Sequence, residues 1–136
     1  MLLKLLLTLE IKNKKNLDDY NFHAAIGLDN NEGVRQEMKP CNGKANCVET
    51  QFSIEVDNTQ QVIVELLVIK GPDQPKAKII SLFSTALESR GADLQKFNAS
   101  FPIKKKKIPL FRRYSLEGTL AVSVSPDNLG PAARIL

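Results

Sequence analysis

The sequence has no tryptophan, one histidine and two cysteines in 136 residues. It also has no apolar run near the roughly 18 residues that cross a bilayer as a helix. Each scarcity removes a class of function. Two thiols, Cys41 and Cys47 in the stretch PCNGKANC, allow at most one small disulfide and not a disulfide-built scaffold. Zinc wants about four ligands, and His23 lies in another segment without a second ligand pair, so structural or free thiols are expected over a redox or metal role. Catalysis has little to work with. His23 sits beside Phe22 and Ala24 in a strand-like run and reads as a structural residue, not a general base. No base lies near the serines and threonines, and no G-x-S-x-G, Walker, H-E-x-x-H or G-x-G-x-x-G motif occurs. The expectation is a non-enzyme with no cofactor.

An excess of one charge sign is also missing. Lysine and arginine total 19 against 15 Asp and Glu, a formal +4, and the chain is 43% hydrophobic and 25% charged. Those fractions exclude disorder, collagen and coiled coil, and the length suits one domain.

What is present is alternation. The opening MLLKLLLTL looks like a signal peptide but is too short and lacks a small-residue cleavage site. Leu5, Leu7, Leu9 and Ile11 alternate with Lys4, Leu6, Thr8 and Glu10, as in a strand with one polar face. A cytoplasmic location is expected on this reading, with cytoskeletal or membrane association, and the Asn98-Ala99-Ser100 sequon is then incidental. FHAAIGL runs to the turn-rich cluster Asp29-Asn30-Asn31-Glu32-Gly33. Phe52, Ile54 and Val56 alternate with polar residues. VIVELLVI is dense enough for a strand covered on both faces, and ends at Gly71-Pro72-Asp73-Gln74-Pro75. Leu120, Val122 and Val124 make a last strand before Pro126.

One segment has a helical period. KAKIISLFSTALESR places Ile79, Ile80, Phe83, Ala86 and Leu87 at spacings of three and four, with Gly91 at a C-cap position, and predicts a short helical insertion around residues 77–90. Ile80, Leu82 and Ser84 also fit a strand followed by a helical turn. The whole pattern predicts an all-β, antiparallel sandwich over residues 1–126, followed by a tail over 127–136.

The strands, in order, resemble a C2 domain. The features are LLLTLEI, the basic KNKKNL, then LDDYNFHAAIGLD, where C2 domains show Asp before Pro-Tyr and a strand. VETQFSIEV is similar to the family's W-N-E-x-F-x-F-x-V without its tryptophan, QVIVELLVI to the strand before the third top loop, and EGTLAVSVSP to the closing G-x-L-x-V-x-V. The resemblance implies an eight-stranded sandwich. It also implies a calcium-independent member. Calcium wants about six to eight oxygens, yet the first loop offers Asp18 and Asp19 and the other, KGPDQPKAK, only Asp73 among three lysines.

The most highly charged stretch is residues 104–113, KKKKIPLFRR. Lys104, Lys105, Lys106, Lys107, Arg112 and Arg113 supply six cations with no acid, interleaved with Ile108, Leu110 and Phe111. As a bland feature it keeps a sheet edge from pairing further. As a site it fits an acidic protein surface or anionic lipid headgroups, to which each basic residue contributes about 1 kcal/mol. Nucleic acid is disfavoured, because Phe111 and Tyr114 are the only aromatics nearby and no recognition motif accompanies them. The leading expectation is a non-catalytic module that docks onto a protein assembly, cytoskeletal or ciliary among the settings. The alternative is a calcium-independent peripheral membrane module that binds phospholipid or phosphoinositide.

Overall fold

Apolar residues at every second position commit a chain to strands buried on one face, and here they close two sheets on each other. The structure is a computed structural model, and it describes residues 2–18, 20–28, 31–56, 61–70, 78–88, 93–103 and 114–126. Nine strands follow in chain order: β1 (Leu2–Ile11), β2 (Asn21–Leu28), β3 (Asn31–Glu37), β4 (Lys39–Pro40), β5 (Cys47–Glu55), β6 (Val62–Lys70), β7 (Lys78–Ala86), β8 (Leu94–Ile103) and β9 (Tyr114–Pro126). One sheet has the order β4-β5-β1-β9-β8 and the other β3-β2-β6-β7. All the pairings are antiparallel.

The first strand shows how the sequence fixes the sandwich. Leu5, Leu7, Leu9 and Ile11 are fully buried. Each such side chain contributes about 1.5–3 kcal/mol on leaving water, and a one-residue slip would turn all four outward, so the register is strongly specified. β1 pairs with β5 through Leu7↔Thr50 and with β9 through Leu7↔Val122. Val62, Val64, Leu66 and Val68 of β6 face them from the other sheet, with Phe22, Phe52 and Phe101 among the largest buried groups. Phe22 and Phe101 meet edge to face, with ring centroids 6.0 Å apart, a geometry in which the ring quadrupoles attract. The density of VIVELLVI has its counterpart too. Leu67 and Ile69 point away from the core yet are buried, opposite Leu82 and Ile79 of β7.

The sequence expectations need two corrections. The sandwich has nine strands instead of eight, because β4 is a two-residue strand that follows the crossing of the chain from one sheet to the other at Met38. Residues 78–86 are a strand and not a helical insertion, and no helix occurs among the described residues. A bulge explains the false period. The β6–β7 register shifts so that Val68 pairs with Ser81 but Ile69 with Ile79, leaving Ile80 as the extra residue. That insertion breaks the alternation, so Ile80, Phe83 and Leu87, which do pack on the core, fall three and four apart. β7 has its own ladder with β6 from Ile63↔Ala86 to Lys70↔Lys78, and a tertiary partner of that length overrides weak local preference. Its far end is closed by Gln95, a buried polar side chain whose amide accepts from Glu88 N–H at 2.9 Å and donates to Glu88 O at 3.0 Å.

Strand direction then sorts the connections. β1 ends where β5 and β9 begin, with Glu10↔Cys47 and Ile11↔Gly118, and β8 ends where β9 begins, with Ile103↔Tyr114. β2 begins where β6 ends and β7 begins, with Asn21↔Ile69 and Lys70↔Lys78. Residues 12–20, 38–46, 71–77 and 104–113 therefore join strands at one end, and residues 29–30, 56–61 and 87–93 at the other.

Candidate functional site

The four connections at the first end carry twelve lysines and arginines against three acids, a net +9, whereas the three at the opposite end carry one arginine against four acids, a net −3. Seven of the twelve cations, Lys76, Lys104, Lys105, Lys106, Lys107, Arg112 and Arg113, lie outside the described residues, as do Asp19, Asp73 and the tail over 127–136. What is described of residues 104–113 is their attachment: the decapeptide leaves β8 at Ile103 and enters β9 at Tyr114, two residues that pair with each other.

Beside that attachment the β1–β2 connection is stapled down. Asn13 donates from Nδ2 to Ser115 O at 2.8 Å and accepts at Oδ1 from Glu117 N–H at 3.0 Å. The Lys12 N–H donates to Glu117 O at 2.7 Å. Ile11 and Asn46 exchange a further pair, Ile11 N–H to Asn46 O at 2.9 Å and Asn46 Nδ2 to Ile11 O at 3.0 Å. The connections 12–20 and 38–46 are thus tied to β9 and to the end of β1. Lys12, Lys14 and Lys15 are placed, exposed, next to the point where the decapeptide rejoins the sheet, and Lys39, Lys44 and Lys78 are exposed at the same end.

Little among the described residues offsets these charges. Lys39 meets Glu37 and Lys44 meets Glu10, each at 3.4 Å with both side chains well exposed, and such pairs are weak in water. Lys12, Lys14, Lys15 and Lys78 have no ion pair among the described residues. A cleft of about 420 Å³ opens alongside, lined by Leu17, Asp18, Tyr20, Lys39, Pro40 and Val48 among others. Asp18 itself is exposed, with its N–H directed at Asn16 Oδ1 at 3.4 Å. Among the described residues no three His, Cys, Asp or Glu side chains come together as a metal site, and no helix is long and apolar enough to cross a membrane.

His23 is on the outward face of the four-stranded sheet, where its Nδ1 accepts from Arg35 Nε at 3.2 Å. Cys41 and Cys47 are unbonded. They lie at the cationic end, and the Cys41 thiol is pushed up to about 12, first by burial, then by a hydrogen bond with Cys47 and the charges of Cys47 and Glu49.

The decapeptide stands out in the sequence, but the lysines that join it do not. A signal was available: in an antiparallel sandwich successive connections switch ends, and here residues 12–20, 38–46 and 104–113 are net basic, 71–77 neutral, and the three connections between them net acidic.

No protein-family model matches the chain, and no curated protein sequence does. A solved structure to which it is similar is a C2 domain of plant extended synaptotagmin 1, 15% identical, with a TM-score of 0.49 and with 92% of this chain and 94% of that one covered. That domain bears the name of the family whose strand motifs the sequence resembles. The β-sandwich itself rests on the two sheets.

Proposed function

We propose that the chain is a non-catalytic docking module that meets an anionic surface end-on. The observation that carries this reading is the segregation of charge, a net +9 on the connections at one end against −3 on those at the other. Cations spread over four separate connections in the sequence, with Lys12, Lys14, Lys15, Lys39 and Lys44 exposed among the described residues, suit an extended surface more than a small anion. An acidic face of a protein partner, within a scaffold or cytoskeletal assembly in the cytoplasm, is the first such surface. Salt weakens attraction of this kind, because the screening length is about 10 Å at 0.1 M.

Ile108, Leu110 and Phe111 favour a second reading. Apolar residues interleaved with cations insert at a lipid interface while the charges meet headgroups, so an anionic membrane surface is the alternative.

The test is co-sedimentation of the full chain with phosphatidylserine vesicles and with neutral vesicles, beside retention on immobilised polyglutamate, at about 0.1 M salt. Retention on polyglutamate alone supports the protein surface, and pelleting with anionic vesicles supports the membrane. In either case Lys104→Glu, Lys105→Glu, Lys106→Glu and Lys107→Glu together should remove most binding. Absence of both, or binding to neutral vesicles alone, overturns the reading.

A further inference from the structure

Cys41 and Cys47 stand opposite each other across the β4–β5 hairpin. The ladder runs Lys39↔Glu49 and Pro40↔Val48, and the next step brings the Cys41 N–H to Cys47 O at 3.0 Å. Neither is in a disulfide. Directly opposed antiparallel residues have α-carbons about 4.5–5.5 Å apart, within the roughly 4.4–6.8 Å that a disulfide tolerates. The five residues between them turn through Gly43, whose φ of 81° is a left-handed conformation that glycine adopts without strain.

We infer that Cys41 and Cys47 are a reversible redox pair, closed by a low-molecular-weight disulfide such as oxidised glutathione into an intramolecular bond that pins β4 to β5. The inference goes beyond docking and does not depend on it. Entry is at Cys41, which is partly exposed, whereas Cys47 is 4% exposed. Closure is slow, because the Cys41 thiol is held mostly protonated: its minor thiolate form attacks one sulfur of oxidised glutathione, forming a mixed disulfide and releasing one glutathione thiolate. The Cys47 thiolate then attacks the Cys41 sulfur and expels the second glutathione. Two cysteine thiols are oxidised, one glutathione disulfide is reduced to two thiols, and those thiols keep the two protons.

The bond would act where the sheet is weakest. β4 is a two-residue edge strand, paired with β5 only through Lys39 and Pro40, and short edge segments open most readily. Lys39 and Pro40 line the cleft, with Ala45 and Cys47 from the same hairpin. Closure therefore fixes one wall of the cleft and the Lys39 and Lys44 positions at the cationic end.

The experiment is a titration of the full chain with graded ratios of reduced to oxidised glutathione, quenched with a maleimide and read by intact mass. Two maleimide sites should disappear together, in monomeric protein and without a retained glutathione adduct, and return on reduction. In the oxidised form amide exchange at Lys39 and Cys41 should slow by about tenfold or more, as expected when a local opening is suppressed. Cys47→Ser should trap the glutathione adduct on Cys41. A stable adduct on Cys41 in the natural sequence with Cys47 still labelled, a disulfide-linked dimer, or two maleimide sites at every ratio overturns the inference. The titration needs no variant, so it stands if Cys47→Ser fails to fold.

Discussion

A β-carbon on Gly118 would run into the Glu10 carbonyl and the Ile11 backbone on the neighbouring strand. β9 lies between β1 and β8 inside the five-stranded sheet, so neither backbone can yield without disturbing a ladder. Gly118→Ala is therefore expected to cost about 1–3 kcal/mol, the usual range for overpacking, read as a lower midpoint in urea at unchanged slope. Gly118 is the glycine of EGTLAVSVSP, so the sequence displayed the residue and the structure supplies its reason. Cys41 was less legible. Its burial and its contacts with Cys47 and Glu49 arise from a hairpin that no local pattern announces. Because the fold raises its pKa from 9.0 to about 12, the stability from keeping that proton is full below pH 9 and lost as pH climbs toward 12. Iodoacetamide labelling of Cys41 in reduced protein should lag an ordinary thiol at about pH 8 and rise roughly tenfold per pH unit, since the thiolate is the reacting form. Labelling at the rate of a free peptide would contradict the raised pKa of this partly buried thiol.

Elements were legible where apolar residues alternate or run together. β1, β2, β5, β6 and β9 were all visible as apolar alternation or as dense apolar runs. β3 was not, because NEGVRQE belongs to an edge strand whose polar residues give no alternation, and its first residues read as part of a turn. β8 hid its period behind Gln95 and Pro102, although Phe97, Ala99, Phe101 and Ile103 alternate. Its edge position leaves room for a proline, which has no N–H to offer a ladder. β7 misled through its bulge. The strand assignment has a direct check: Leu82 is 52% exposed on the outward face, so Leu82→Thr should change stability by no more than about 0.5 kcal/mol, with threonine well suited to a strand. In a helix the same change would cost more. Phe101→Ala, at a fully buried position touching Phe22 and Phe83, should cost about 3–5 kcal/mol. Equilibrium unfolding of the two variants side by side measures both.

At the scale of the whole molecule, the formal +4 conceals a separation. Seven connections divide by strand direction into a set that is cationic in sum and a set that is acidic in sum, and the two sets interleave along the sequence. The decapeptide was legible as composition. The lysines of residues 12–20 and 38–46 were legible only as scattered charge, because their grouping depends on which strand ends coincide. If the end acts as a unit, Lys12→Ser, Lys14→Ser and Lys15→Ser together should weaken docking several-fold with the decapeptide intact, and make binding less sensitive to salt. The same three changes should leave thermal stability nearly unaltered, since all three side chains are exposed.

Opposite charge on the two ends also has a mechanical consequence. A charged surface pulls one end of the sandwich and repels the other, so the molecule feels a torque before it touches. On the proposed docking reading, the molecule should already be turned within about 10 Å of an anionic surface, and fewer collisions should be wasted on the wrong face. Charge arranged in this way speeds arrival more than it prolongs the stay. Salt should therefore act mainly on the association rate, while the lifetime of the complex is set by the short contacts formed after the molecule has aligned.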